Sequence, residues 1–168
     1  MHEGENLKPH RKSIRLKDYD YTTPMWYYIT VCTINHKSTL CEIINGKTAL
    51  SRYGKIFKEE WLSTKAKREN IDLDYYVITP NHFHGIIIIE SRDKACLDPT
   101  EKRKFGKPIP NSLSSIIGSF KSAVTKRVNE IRETPGLKFW QSRFYDHIIR
   151  NDLDLHRIRT YISNNPIK

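Results

Sequence analysis

Between Met25 and Thr33 the chain reads Met-Trp-Tyr-Tyr-Ile-Thr-Val-Cys-Thr, aromatic and β-branched almost throughout, which predicts a strand. Asn45-Gly46 marks a turn. Beyond it Leu50, Tyr53, Phe57 and Trp61 recur at spacings of three or four, the period of one helix face, and predict an amphipathic helix over residues 47 to 67. Residues 73 to 79 and 83 to 90 predict two more strands, the second a continuous apolar run suited to burial on both faces. Pro80 between them has no amide to give a sheet, so a hairpin whose return strand begins at His82 fits better than one unbroken strand.

Further along, Ile117, Phe120, Val124, Val128 and Ile131 trace one face of a second helix, with Asn111 or Ser112 available as its cap. Pro135-Gly136 breaks that pattern, and residues 143 to 149 predict a fourth strand. Asn151 can cap a last helix with Asp154 in the capping-box position, Leu155, Ile158 and Ile162 give it an apolar stripe, and Pro166 stops it. The order β-α-β-β-α-β plus a terminal helix predicts an α+β, ferredoxin-like sandwich with helices over one face of a four-stranded antiparallel sheet.

Length and charge narrow what such a fold does. A chain of 168 residues makes one compact domain with a core of its own. Lysine and arginine number 29 against 19 acidic residues, a formal charge of +10, and a field of that sign attracts polyanions, nucleic acid above all. Two polar segments carry part of that charge. The first 24 residues form an arm bearing Arg11 and Arg15, which could lie on a phosphate backbone or remain a solvated terminus. Ser91 to Asn111 is a long polar loop bearing Lys102, Arg103, Lys104 and Lys107. No apolar run approaches the roughly 20 residues of a membrane span. Cys32, Cys41 and Cys96 show no metal-binding repeat, and the polar start Met1 to Asn6 lacks a secretory core, so cytoplasmic residence without membrane attachment is expected.

Candidate chemistry centres on His82 and His84. Side chains alternate along a strand, so this pair leaves one face while Phe83 points to the other, and two imidazoles so placed could share a divalent metal. They could equally hydrogen-bond at a sheet surface. No Cys-x-x-Cys or His-Glu-x-x-His accompanies them. On the last helix Tyr161 and Asn165 stand four apart and are neighbours on one face. A tyrosine can attack phosphorus, and an asparagine oxygen can join histidines around a hard cation; a boundary tyrosine and a helix cap are the ordinary alternatives.

Pro80-Asn81-His82-Phe83-His84, then Trp140-Gln141-Ser142-Arg143-Phe144-Tyr145-Asp146-His147 with Arg150, then Tyr161-Ile162-Ser163-Asn164-Asn165-Pro166, together resemble the small single-tyrosine transposases with a His-hydrophobe-His motif. The bacterial repeat-associated tyrosine transposases look most similar, and the resemblance spans residues 25 to 168. It implies cleavage and rejoining of single-stranded DNA beside a palindromic hairpin. Tyr161 would be the nucleophile, leaving a 5′-phosphotyrosine link and a free 3′-hydroxyl. His82, His84 and Asn165 would bind Mg2+ or Mn2+.

Trp140 and Phe144 could stack on bases, Arg143 and Arg150 could hold phosphates, and Lys121 and Arg127 of the second helix could meet the hairpin. A noncatalytic hairpin-binding protein of the same fold is the main alternative, with RNA processing or a hydrolytic metallonuclease behind it. Monomer and homodimer both stay open, as does whether Tyr161 meets the histidines of its own chain.

Overall fold

The computed structural model describes residues 16, 19–91 and 109–165. Arg11, Arg15, Lys102, Arg103, Lys104 and Lys107, with most of the arm and loop that carry them, lie outside the described residues. The chain runs β1 (Met25–Cys32), a 3-10 turn (Ile34–His36), β2 (Cys41–Ile44), β3 (Lys47–Leu50), α1 (Arg52–Ala66), β4 (Ile71–Ile78), β5 (His82–Ile89), α2 (Leu113–Arg132), β6 (Tyr145–Ile149) and α3 (Asp152–Asn164). Four strands make one antiparallel sheet in the order β4-β5-β1-β6, and β2 and β3 pair separately. This is the ferredoxin-like arrangement, with the two long β-strand-to-helix crossovers on one side.

The predicted helix over 47–67 is corrected at its start. Gly46 adopts a left-handed φ of 70°, which closes a hairpin, so residues 47–50 pair with β2 instead of coiling. Ser51 then caps α1, its hydroxyl accepting from the amides of Tyr53 and Gly54. At α2 the cap is Ser112, accepting from Ser115, and at α3 it is Asn151, accepting from Asp154. Ile131, expected on the buried stripe of α2, is exposed, while the adjacent Arg132 covers the rings of Tyr53 and Phe139 at the end of the helix.

Two apolar clusters lie on the two faces of the sheet. The larger packs Tyr27, Ile29, Val31, Phe83 and Ile87 under α1 and α2, with Phe57 and Trp61 of α1 each 4.7 Å, ring to ring, from Phe83. Gly85 belongs to this side: a methyl group there would come within 2.5 Å of the Phe83 ring and 3.0 Å of Trp61, so only hydrogen fits between them. The smaller cluster joins Ile86, Val77 and Ile149 to Ile158 and Ile162 of α3, flanked by Trp26, Tyr28 and Leu155. The third helix therefore covers the face opposite α1 and α2, which is the face the two histidines share. No helix among the described residues is long and apolar enough to cross a membrane.

Candidate active site

The site begins at the β4–β5 turn. Thr79 donates from both its amide and its hydroxyl to the carbonyl of His82, at 2.9 and 2.8 Å, so Pro80 and Asn81 form a two-residue loop and β5 starts at His82 as expected. The loop is tied to the chain after β1: the Pro80 carbonyl accepts from the amides of Thr39 and Leu40, and the Asn81 carbonyl from the amide and hydroxyl of Thr33. A loop so tethered holds the first histidine to a fixed position.

On the α3 face, cross-strand register sets Thr30 opposite His84 and Cys32 opposite His82. The two imidazoles stand 4.6 Å apart, centroid to centroid. His84 Nδ1 lies 2.7 Å from the hydroxyl of Tyr28 and 2.8 Å from that of Thr30. His82 Nδ1 lies 2.7 Å from Asn81 Oδ1, an acceptor only, so Nδ1 donates and the lone pair of His82 sits on Nε2. In the same tautomer His84 would donate from Nδ1 to one of these hydroxyls and carry its lone pair on Nε2. That is the arrangement by which histidines are oriented for metal binding, the remote nitrogen anchored and the near one left to coordinate.

Electrostatics agree with it. Burial, then the charge of neighbouring His82, pushes His84 down to about 4, and burial with the nearby His36 lowers His82 as well. Both are neutral at pH 7, and neutral imidazole is the ligating form. Burial lifts Tyr28 to about 12 against the hydrogen bond from Thr30, so it stays a protonated tether.

Tyr161 reaches this pair. Its hydroxyl is 3.4 Å from His84 Nε2 and the two rings are 5.2 Å apart, with the Tyr28 ring edge-on at 6.5 Å and Tyr161 46% exposed. Within one chain, therefore, the tyrosine faces its own histidines. Asn165 follows one turn later. Proline at 166 favours an extended conformation in the residue before it, yet Asn165 stays helical at φ −64° and ψ −36°, its amide bonded to the Ile162 carbonyl. It thus remains on the helix end that carries Tyr161. Among the described residues no three His, Cys, Asp or Glu side chains converge to hold an ion, so a cation at His82 and His84 would draw its remaining ligands from an amide oxygen such as that of Asn165, from water or from substrate.

Several residues expected at a nucleic-acid surface are engaged elsewhere. Trp140 is buried, 5% exposed, its indole packed on Phe57 and Phe139 and its N–H donated to the Lys121 carbonyl. Phe144 is also buried in the main core. Base stacking needs an open ring face, which neither Trp140 nor Phe144, expected as stacking platforms, offers from its place in the core. Lys121 spends its ammonium on the carbonyls of Gln141 and Ser142, and Arg127 pairs with Glu59 and Glu60. Arg143 and Arg150 are exposed at opposite ends of β6. Tyr145 pairs with Thr30, itself opposite His84, so Arg143 precedes the end of β6 that stands level with the histidines. Arg150 lies past Ile149 at the other end of the strand, roughly 17 Å from Tyr145.

The pattern alone missed Tyr28, Thr30 and Asn81 as histidine tethers. Their signal was present in part, since Tyr28 and Thr30 alternate on β1 as the histidines do on β5, but the register between two strands is not written in either one. It also missed His36, whose Nε2 meets Gln141 Nε2 at 2.9 Å from a turn in which Asn35 and His36 both hold left-handed backbone.

No family model matches the chain. An uncharacterized protein of Haemophilus influenzae is 36% identical over 162 residues, covering 94% of this chain and 89% of that protein. The solved structure of a REP-associated tyrosine transposase bound to a REP hairpin shares the fold at a TM-score of 0.62, with 22% identity, across 91% of this chain and 72% of that one.

Proposed function

For a chain that belongs to one family with the Haemophilus influenzae protein and carries the fold of the REP-associated tyrosine transposase, we propose a metal-dependent transesterase that cuts and rejoins single-stranded DNA beside a hairpin. The observation that carries this reading is the 3.4 Å approach of the Tyr161 hydroxyl to His84 Nε2, beside a second histidine whose Nδ1 is anchored by Asn81. A nucleophile and a paired metal-ligand set meet on a face that α3 covers only in part.

In this reading Tyr161 Oη attacks the scissile phosphorus. The Oη–P bond forms as the P–O3′ bond breaks, the tyrosine gives up its proton, and the departing 3′-oxygen gains one to become a free hydroxyl. Attack on the phosphotyrosine by a 3′-hydroxyl reverses these changes and joins strands without other energy input. His82, His84 and Asn165 would hold Mg2+ or Mn2+, which when bound stabilises the charge gathering on the phosphoryl oxygens. Asn81, Tyr28 and Thr30 keep the imidazoles turned to that position. Exposed Arg143, at the histidine end of β6, is suited to a flanking phosphate, and the +10 charge of the chain favours any polyanion.

The test mixes the protein with labelled single-stranded DNA containing a palindrome from beside its own gene and Mn2+, then separates products under denaturing conditions. A protein-linked band that disappears in Tyr161→Phe is expected. Hairpin binding without any linked band would favour the noncatalytic alternative, and a free 5′-phosphate without attachment would favour a hydrolytic nuclease.

A further inference from the structure

Arg159 stands two residues before Tyr161, and the helix turns these side chains to opposite flanks. At about 100° per residue, Ile158 and Ile162 share the docked face while Arg159 and Tyr161 diverge on either side of it. The Arg159 flank is gripped. Its Nε donates to Asp74 Oδ2 at 2.7 Å, and its guanidinium carbon sits 5.3 Å from the Tyr75 ring centroid and 5.6 Å from that of Trp26. The carboxylate is only 16% exposed, so this pair is shielded more than an ordinary surface bridge.

The grip depends on an irregularity in β4. Leu73 pairs with Ile87 and Tyr76 with Gly85, so two residues, Asp74 and Tyr75, stand opposite the single Ile86. In a regular strand consecutive side chains leave opposite faces, but a bulge re-aims one of them. Leu73 and Tyr76 both stay on the main-core side, and Asp74 and Tyr75 both reach Arg159 on the α3 side. A one-residue insertion in the edge strand thus makes a two-residue clasp for one arginine.

We infer that Arg159 is a positioning residue for Tyr161: held by Asp74, Tyr75 and Trp26, it sets the roll of α3 and so the place of the tyrosine hydroxyl beside His84. The inference rests on the transesterase reading for its effect on rate. A helix with its side chains is roughly 10–12 Å across, so a roll of about 10° shifts a side-chain tip by about 1 Å. A shift of that size costs a reaction about a hundredfold in rate. The apolar contacts of Ile158 and Ile162 resist lifting of the helix, whereas a contact on its flank resists rolling. Lysine could keep the charge but not the planar group between two rings.

The experiment times adduct formation by the full chain at saturating hairpin-bearing single-stranded DNA with Mn2+. Arg159→Gln and Asp74→Asn should each slow it by about tenfold to a hundredfold with DNA affinity unchanged. The double variant should be no slower than the worse single one, because both remove one contact. Weakened DNA binding in Arg159→Gln alongside full activity in Asp74→Asn would mean that Arg159 touches DNA directly and would overturn the inference, as would full activity in both.

If the parent protein forms no adduct, the transesterase reading fails, and the clasp is judged by the 15N spectrum of the His84 imidazole. Tyr161→Phe should move its Nε2 resonance, and Arg159→Gln should move it the same way; an unmoved resonance in Arg159→Gln rejects the clasp. Circular dichroism melts confirm folding, and Arg159→Lys replaces Arg159→Gln if the latter does not fold.

Discussion

The hydroxyl of Tyr161 on α3 lies 3.4 Å from Nε2 of His84 on β5, in one and the same chain. At that distance the hydrogen bond is weak, and the tyrosine ring is nearly half exposed, so little folding energy depends on the oxygen. Tyr161→Phe should change stability by no more than about 0.5 kcal/mol. An unchanged urea midpoint in the variant that loses the DNA adduct would assign the loss to chemistry; a large drop would make Tyr161 a structural residue first.

Asn81 tests the metal reading without removing a proposed ligand. It anchors His82 Nδ1 at 2.7 Å, and loss of such an outer partner typically weakens metal affinity by about 10–100-fold. Asn81→Ala should therefore raise the Mn2+ concentration needed for thermal stabilisation and for adduct formation alike. Equal Mn2+ titrations for variant and parent would remove His82 from the site.

Acid should destabilise the metal-free protein before its carboxylates titrate. The folded state holds His84 at about 4 while the unfolded chain protonates it near its ordinary 6.5, so between those values the unfolded state binds more protons. Stability is unaffected by this residue above the upper value and declines as pH falls toward the lower one. His82, also lowered, acts in the same direction. From pH 7 to pH 5 the loss from His84 is on the order of 2 kcal/mol. Urea unfolding at the two pH values measures it, and His84→Gln should flatten the difference; an equal slope in parent and variant would rule it out.

Trp140 should report on folding and not on DNA. Truncation of a buried tryptophan costs about 3–5 kcal/mol, so Trp140→Ala should lower the melting temperature sharply. At a temperature where the variant remains folded, its affinity for single-stranded DNA should match the parent's, as measured by fluorescence anisotropy. A selective loss of affinity would restore the ring to the interface.

Most of the architecture was legible along the chain, because a periodicity of three to four or of two records which face of an element meets the core. The four main strands, both packing helices and the opposite facing of Phe83 and His84 follow from that rule. The short hairpin of β2 and β3 escaped it. Four-residue strands carry too little alternation, and the apolar series through Leu50 and Tyr53 runs on across Ser51, so one helix and a hairpin leading into a helix look alike until the turn at Gly46 and the cap at Ser51 are seen in place.

The site divides the same way. A strand's alternation suffices to put His82 and His84 side by side, and a helix's pitch to put Tyr161 near Asn165, since both rules act over a few residues. What joins the two pairs acts across 77 residues of chain and depends on α3 docking over the face that α1 and α2 leave uncovered. Packing likewise decided where Trp140, Phe144, Lys121 and Arg127 sit, the two rings in the core and the two cations on acceptors of the protein itself. A side chain's chemistry is local, but whether it meets solvent, a core or another side chain is decided by the register and docking of elements far apart in the chain.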